Sequence, residues 1–189
     1  MLRKNTDRFR KKILVTLFLL VILIIVFTLN KTTLKTYVNV ESGWEIQYLN
    51  SLTISSRETD DVVVKNGIGK AIKFWRFGPT QNEGTEFHDG LFIEIFTVTK
   101  DAQTSLEQFA IENSKSYYPP TTNQATKINV NEIIGYQTVR NEYGRTTQVF
   151  LPYKNSDDKV LWFIIFAEGK NKQKYEQEYK KMLNTFRFI

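Results

Sequence analysis

The residues best suited to chemistry lie in one short segment, Glu83-Gly84-Thr85-Glu86-Phe87-His88-Asp89. It brings three carboxylates and one imidazole together, and such oxygen and nitrogen atoms are common protein ligands of divalent cations. The spacing is not that of an EF-hand, which needs alternating oxygen ligands and a final bidentate Glu, and structural zinc normally takes thiolates or paired histidines. We hypothesise a metal site made by Glu86, His88 and Asp89, and we predict no cofactor.

The chain has few catalytic groups. His88 is the only histidine, cysteine is absent, and no G-x-S-x-G, H-E-x-x-H or phosphate-loop motif occurs. These motifs supply the nucleophile, the metal ligands or the phosphate cradle of large enzyme classes. A lone histidine in a loop is usually solvated or hydrogen-bonded rather than catalytic. The sequence therefore predicts no catalytic site.

Strands are predicted on both sides of this segment. Residues 78–90 form a long, polar, glycine-containing loop, and loops of this length are often functional or mobile. Alternating or continuous apolar residues predict strands at 44–48, 52–54, 62–64, 71–77, 91–97, 128–130, 133–141, 145–152 and 159–167, with a hairpin turn at Asn66-Gly67. Core packing is the usual reason for aromatic residues in strands. We assign that role to Trp44, Phe74, Trp75, Phe92, Phe96, Trp162 and Phe166.

Two segments have helical spacing. Thr104-Ser105-Leu106-Glu107 matches a capping box, and the apolar residues after it predict a helix to about Tyr117, before Pro119 and Pro120. The second helix is predicted from one apolar face, formed by Tyr175, Tyr179, Met182, Leu183 and Phe186. Hairpin turns join neighbouring strands, so the predicted fold class is α+β, an antiparallel β-sheet covered by helices in an α/β/α-type sandwich.

Residues 13–29 form an uncharged, apolar run interrupted only by Thr16 and Thr28. As a helix the run spans about 26 Å, close to the hydrocarbon thickness of a bilayer. A cleaved signal peptide is the alternative, but the apolar core is longer than is usual for a signal and no A-x-A-like pair of small residues follows it. We predict one retained N-terminal transmembrane helix.

Charge predicts the orientation of this helix. Residues 1–12 carry six basic side chains and one acidic one, and basic flanks favour the cytoplasmic side. The predicted organisation is a cytoplasmic basic tail at 1–12, a transmembrane anchor at 13–29, a tether at 30–40 and one extracytoplasmic domain at 41–189. The predicted location is the cell membrane, with the N-terminus in the cytoplasm.

The basic tail also accounts for the net charge of the chain. Subtracting its six basic and one acidic residues from the totals of 26 and 20 leaves 20 against 19 for residues 13–189. A nucleic-acid partner is not predicted, because such binders need a clustered basic face. The absence of cysteine excludes a lipid-anchored lipoprotein and any disulfide in the outer domain.

Residues 41–189 resemble the PsbP-like family. The resemblance implies an α/β/α-type sandwich around a central antiparallel sheet and little about activity. Photosynthetic members are extrinsic accessory proteins that help a membrane complex retain metal and chloride ions, and many bacterial relatives are membrane-anchored domains of unknown role. No photosystem role is carried over, because the predicted anchor departs from the soluble lumenal members. The segments that carry the resemblance are Trp44-Glu45-Ile46-Gln47-Tyr48, Leu52-Thr53-Ile54, residues 92–109, Ile134-Gly135-Tyr136 and Met182-Leu183-Asn184-Thr185-Phe186-Arg187-Phe188.

The sequence as a whole predicts a single-pass, membrane-anchored, extracytoplasmic accessory or binding module without enzymatic activity. Its predicted partners are the membrane, through the N-terminal helix, and an envelope protein. The alternative is an extracytoplasmic enzyme, or a small-ligand or metal-binding protein, that uses the 78–90 loop. A deep pocket with converging polar groups would favour that alternative, whereas a shallow exposed apolar patch would favour a binding module.

Overall fold

The computed structural model describes residues 33–59, 69–117, 120–121, 124–140 and 145–189, together with Thr16. The chain divides into two units, residues 1–33 and 34–189, and the account below concerns the second. Its strands are β1 (Leu34–Asn39), β2 (Trp44–Leu49), β3 (Thr53–Thr59), β4 (Gly69–Phe77), β5 (Gly90–Thr99), β6 (Ser116–Tyr117), β7 (Pro120–Thr121), β8 (Thr126–Val130), β9 (Ile133–Arg140), β10 (Thr146–Tyr153), β11 (Ser156–Glu168) and β12 (Arg187–Phe188). Its helices are α1 (Leu106–Asn113) and α2 (Lys172–Leu183).

The large sheet has seven strands in the order β3-β4-β5-β11-β10-β9-β8. A smaller sheet has the order β1-β2-β12, and β6 pairs with β7. Every strand pair in the described part of the chain is antiparallel. The predicted antiparallel α+β class is therefore confirmed for the described residues.

One face of the large sheet packs against the smaller sheet and α2. Side chains in a strand alternate between the two faces, so Leu91, Ile93 and Ile95 of β5 all point into this core. The smaller sheet contributes Trp44 and Ile46. Helix α2 contributes the apolar face predicted from its spacing, and its members Tyr175, Tyr179, Met182 and Leu183 are buried.

The opposite face of the large sheet packs against α1. Its core contains Phe96 of β5, Phe150 of β10 and Trp162 of β11, together with Phe109 and Ala110 of α1. The central strands are therefore apolar on both faces, as expected for strands that are covered on both sides. Strand β11 is the fourth of the seven strands and therefore lies at the centre of the large sheet.

The structure differs from the sequence predictions at residues 34–39 and at the ends of both helices. Helix α2 ends at Leu183, so Phe186, predicted to lie on its apolar face, follows the helix and is buried there. Residues 34–39, predicted as part of the tether, form β1, where Tyr37 packs on Trp44 and Phe74. Exposed polar residues dilute the apolar pattern of this strand. Helix α1 ends at Asn113 rather than near Tyr117, because the Ser114 hydroxyl hydrogen-bonds to the carbonyl of Ala110 and residues 116–117 form β6.

The predicted anchor lies outside the described residues except for Thr16, and the predicted strand at 62–64 with its turn also lies outside them. Among the residues that the structure describes, no helix is both long enough and apolar enough to cross a membrane.

Candidate functional site

The 78–90 loop joins β4 to β5 at one end of the large sheet. The backbone N–H of Gly78 donates to the carbonyl of Asp89 at 2.9 Å, directly beyond the paired residues Phe77 and Gly90. The loop therefore begins and ends on two hydrogen-bonded strands.

Asp89 is the buried anchor of this loop, with no solvent exposure. Its carboxylate accepts hydrogen bonds from the Thr80 backbone N–H at 2.8 Å and the Thr80 hydroxyl at 2.7 Å. The Tyr175 hydroxyl of α2 donates to the other carboxylate oxygen at 3.4 Å. Asp89 thus links the loop to α2.

Glycines on both sides make room for the Asp89 carboxylate. A Cβ atom at either Gly78 or Gly169 would overlap it. Gly169, at the end of β11, also has a φ of +95°, which side-chain-bearing residues rarely adopt. The sequence places these glycines far apart, and the fold brings both against one carboxylate.

Burial and hydrogen bonding act on Asp89 in opposite directions. Burial by itself raises the pKa of the Asp89 carboxyl, because it penalises the charged form. Hydrogen bonds from Thr80 and Tyr175, together with the charge of His88, outweigh that effect and lower the pKa below its ordinary value of 3.8. Asp89 is therefore ionised at neutral pH, and its carboxylate accepts hydrogen bonds from Thr80 and Tyr175.

His88 is held by two backbone carbonyls. Its Nδ1 lies 3.1 Å from the carbonyl oxygen of Glu86, and its Nε2 lies 2.8 Å from that of Thr80. A carbonyl oxygen only accepts hydrogen bonds, so both bonds form together only when both ring nitrogens carry hydrogen. The carbonyls of Glu86 and Thr80, with a smaller contribution from the charge of Asp89, raise the pKa of His88 above 6.5. This geometry fits the imidazolium form.

Gln81 organises the rest of the loop. Its Oε1 accepts from the backbone N–H groups of His88 at 2.8 Å and Asp89 at 3.1 Å. Its Nε2 donates to the Thr85 hydroxyl and to the carbonyls of Asn82 and Glu86. One amide side chain therefore connects both arms of the loop.

The three predicted metal ligands differ in burial and in hydrogen bonding. Asp89 is buried and hydrogen-bonded, Glu86 is exposed, and both ring nitrogens of His88 face carbonyl groups. No group of three or more His, Cys, Asp or Glu side chains in the described residues is arranged to hold a metal ion. The hypothesis that Glu86, His88 and Asp89 bind a cation stays a prediction.

Five aromatic side chains, one from this loop and four from neighbouring strands, form a cluster. We call Trp75, Phe77, Phe87, Phe92 and Phe166 the aromatic surface. Phe87, from the loop, lies among the other phenylalanines, with ring centroids 6.4 Å from Phe77, 6.1 Å from Phe92 and 6.3 Å from Phe166. Trp75 and Phe77 are 4.9 Å apart. These rings form one continuous cluster.

This aromatic surface is open to solvent. Phe77 is 50% exposed, and the other four side chains are partly exposed. Trp75, Phe92 and Phe166 pair across β4, β5 and β11, so they share one face of the large sheet. It is the face on which α1 lies, where α1 packs mainly on β9 and β10.

The charged residues near the aromatic surface include one ion pair and two exposed glutamates. Lys73 makes an ion pair with Glu94 at 3.2 Å, and its Nζ lies 5.4 Å from the centre of the Phe92 ring. Glu83 and Glu86 are exposed in the loop. The surroundings of the aromatic surface therefore carry no excess of positive charge from these residues.

Sequence reasoning located the loop but missed the aromatic surface. Trp75, Phe92 and Phe166 were predicted to be core residues because they lie in strands. Phe87 was the available signal, since it is a large apolar residue inside a polar loop. Its position between Glu86 and His88 does not by itself reveal the rings it contacts.

The architecture described above is a PsbP-like fold. It is similar to the solution structure of cyanobacterial PsbP (CyanoP) from Synechocystis sp. PCC 6803, with a TM-score of 0.52. The similarity covers 84% of this chain and 94% of that chain at 10% sequence identity. No protein-family model and no curated protein sequence matches this chain. The resemblance found in the sequence is thereby confirmed at the level of the fold.

Proposed function

We propose that this chain is a single-pass, membrane-anchored, extracytoplasmic module that acts by binding, without catalysis, and that the aromatic surface makes the contact. The observation that carries the proposal is the exposure of this ring cluster, in which strand residues surround Phe87 of a hydrogen-bonded loop. Exposed apolar patches mark interaction sites, and aromatic residues are enriched in interfaces. The apolar run at 13–29 supports the anchoring.

The internal bonding of the loop supports a binding role. A general base needs a free lone pair, and both nitrogens of His88 point at carbonyl oxygens. Asp89 is buried against Thr80 and Tyr175. A loop fixed in this way presents Phe87 without an ordering cost at the moment of binding, which favours affinity.

Site-specific photo-crosslinking in native membranes tests the proposal. A photoreactive amino acid replaces Phe77 in the full-length chain, and Ile134 is replaced in a matched control. Ile134 is 53% exposed, close to the 50% of Phe77, but it lies on β9. We expect adducts with a protein or a lipid at position 77 and few at position 134. No adduct at either position, or equal yields at both, would contradict the proposal.

A further inference from the structure

The first residue of the described domain and the aromatic surface lie at the same end of the sheets. Leu34, which begins β1, pairs with Leu49 at the end of β2. The chain then turns, with the N–H of Leu52 donating to the carbonyl of Leu49 at 2.9 Å, and enters β3. The first residue of β3, Thr53, pairs with Trp75. Strand register therefore places Leu34 at the end of the domain that carries Trp75.

The connection from the apolar run to this end is short. The run ends at Leu29 and β1 begins at Leu34, so five Cα–Cα steps separate them. Fully extended, five steps span at most about 17 Å. Because β1 takes up most of the predicted tether, little chain remains to carry the domain away from a bilayer in which residues 13–29 are inserted.

The chemistry of the aromatic surface suits one occupant at that position. Tryptophan is enriched at membrane–water interfaces, and Phe and Trp form the buried face of segments that lie in the interface. Lys73 is already paired with Glu94, and Glu83 is exposed nearby. The contact therefore depends on apolar insertion and needs no anionic lipid.

We infer that the aromatic surface rests in the interfacial region of the phospholipid bilayer that holds the N-terminal helix, and so fixes the orientation of the domain on the membrane. This inference rests on the proposed membrane anchoring. It adds a second membrane contact to the anchor, made by the folded domain itself.

Native tryptophan fluorescence provides the test. The chain has three tryptophans; Trp44 and Trp162 are buried at 1% and 7% exposure, and Trp75 is partly exposed in the aromatic surface. The full-length chain is reconstituted into phosphatidylcholine vesicles, with or without lipid that carries a nitroxide quencher near the headgroup. We expect the quencher to remove the Trp75 share of the emission, and the Trp75→Phe variant to lose this quenching.

A matched variant moves the reporter away from the membrane. Trp75→Phe combined with Ile134→Trp places an exposed indole on β9, and we expect the quencher to leave its emission unchanged. Equal quenching of the wild-type chain and the Trp75→Phe variant would overturn the inference. Quenching that requires anionic lipid would also overturn it.

Flotation of the same vesicles separates the inference from the proposed function. If the chain fails to float with the vesicles, the anchoring is wrong and both proposals fall. If the chain floats, Trp75 is not quenched and position 77 crosslinks to a protein in native membranes, the inference falls and the proposed function stands. In that outcome the occupant of the aromatic surface is a protein.

Discussion

Two groups of aromatic side chains lie on the same face of the large sheet and differ in what covers them. Phe96, Phe150 and Trp162 pack beneath α1 with exposures of 2%, 0% and 7%. Nearer the 78–90 loop, Phe92 of β5 and Phe166 of β11 remain partly exposed, and Phe77 of β4 is 50% exposed. The first group stabilises the fold, whereas the second is free to contact another molecule.

Coverage by other parts of the chain, rather than residue type, therefore separates a core aromatic residue from a surface one. Phe92 and Phe96 both lie on β5 and point to the same face, four residues apart. Phe96 is buried in the cluster that also contains Phe109 and Ala110 of α1. Phe92 instead contacts Phe87 of the loop and Phe166.

The largest expected effect comes from truncating one member of each group. Phe150→Ala removes a fully buried ring that stacks on Trp162 at 5.4 Å, and we expect the free energy of unfolding to fall by about 3–5 kcal/mol. Phe77→Ala removes a half-exposed ring, with an expected loss of no more than about 1 kcal/mol. Urea unfolding of the full-length chain in detergent, followed by tryptophan fluorescence, measures both. Similar losses in the free energy of unfolding for the two variants would contradict the distinction between a core ring and a surface ring.

A smaller effect is expected at the anchor of the loop that carries Phe87. Asp89→Asn leaves the shape of the side chain but replaces an acceptor oxygen beside Thr80, and we expect a loss of about 1–3 kcal/mol at neutral pH. The exposed Glu83→Gln variant is the control, with an expected change within about 0.5 kcal/mol.

At acid pH we expect the wild-type chain and the Asp89→Asn variant to have the same free energy of unfolding. Because the folded-state pKa of Asp89 lies below 3.8, the stabilisation is present above the unfolded-state pKa and is lost as the pH falls through the folded-state pKa. Urea unfolding across this range measures it. A difference between the two proteins that is independent of pH would show that the carboxylate charge is not what stabilises the loop.

The smallest expected effect on stability comes from the titration of His88. Its folded-state pKa is raised above 6.5 by the carbonyls of Glu86 and Thr80, so its contribution to stability is complete below the unfolded-state pKa and is lost as the pH rises through the folded-state pKa. As the only histidine, it gives a single set of imidazole NMR signals. A titration should give a pKa above 6.5. A value at or below 6.5 would mean that the two carbonyl contacts do not hold the imidazolium.

Much of the fold could be predicted from periodicity. Alternating or continuous apolar residues identified strands such as β5 and β11, and the helical stripe that includes Tyr175 and Met182 identified α2. β1 was missed because its exposed polar residues interrupt the alternating apolar pattern. Its packing depends on the contact of Tyr37 with Phe74, which is distant in sequence. Local patterns predict elements well where one face is uniformly apolar, and less well at the edge of a sheet.

The site could be predicted only in part. The 78–90 loop was identified by its length and polarity, but the role of Asp89 depends on Gly169 and Tyr175, which are distant in sequence. Likewise, Phe92 is partly exposed because α1 packs mainly on β9 and β10 and does not cover it. Both features arise from contacts between distant segments, which a reading of local pattern does not supply.

Cysteine accessibility in intact cells shows whether the aromatic surface is covered, and the chain contains no native cysteine that would interfere. Phe77→Cys and Ile134→Cys variants of the full-length chain are treated with a membrane-impermeant maleimide, before and after denaturation. We expect Ile134→Cys to be labelled from outside, whereas Phe77→Cys is protected until the protein is denatured. Equal labelling of both variants in intact cells would contradict a covered aromatic surface, and absence of labelling at position 134 would contradict the extracytoplasmic location.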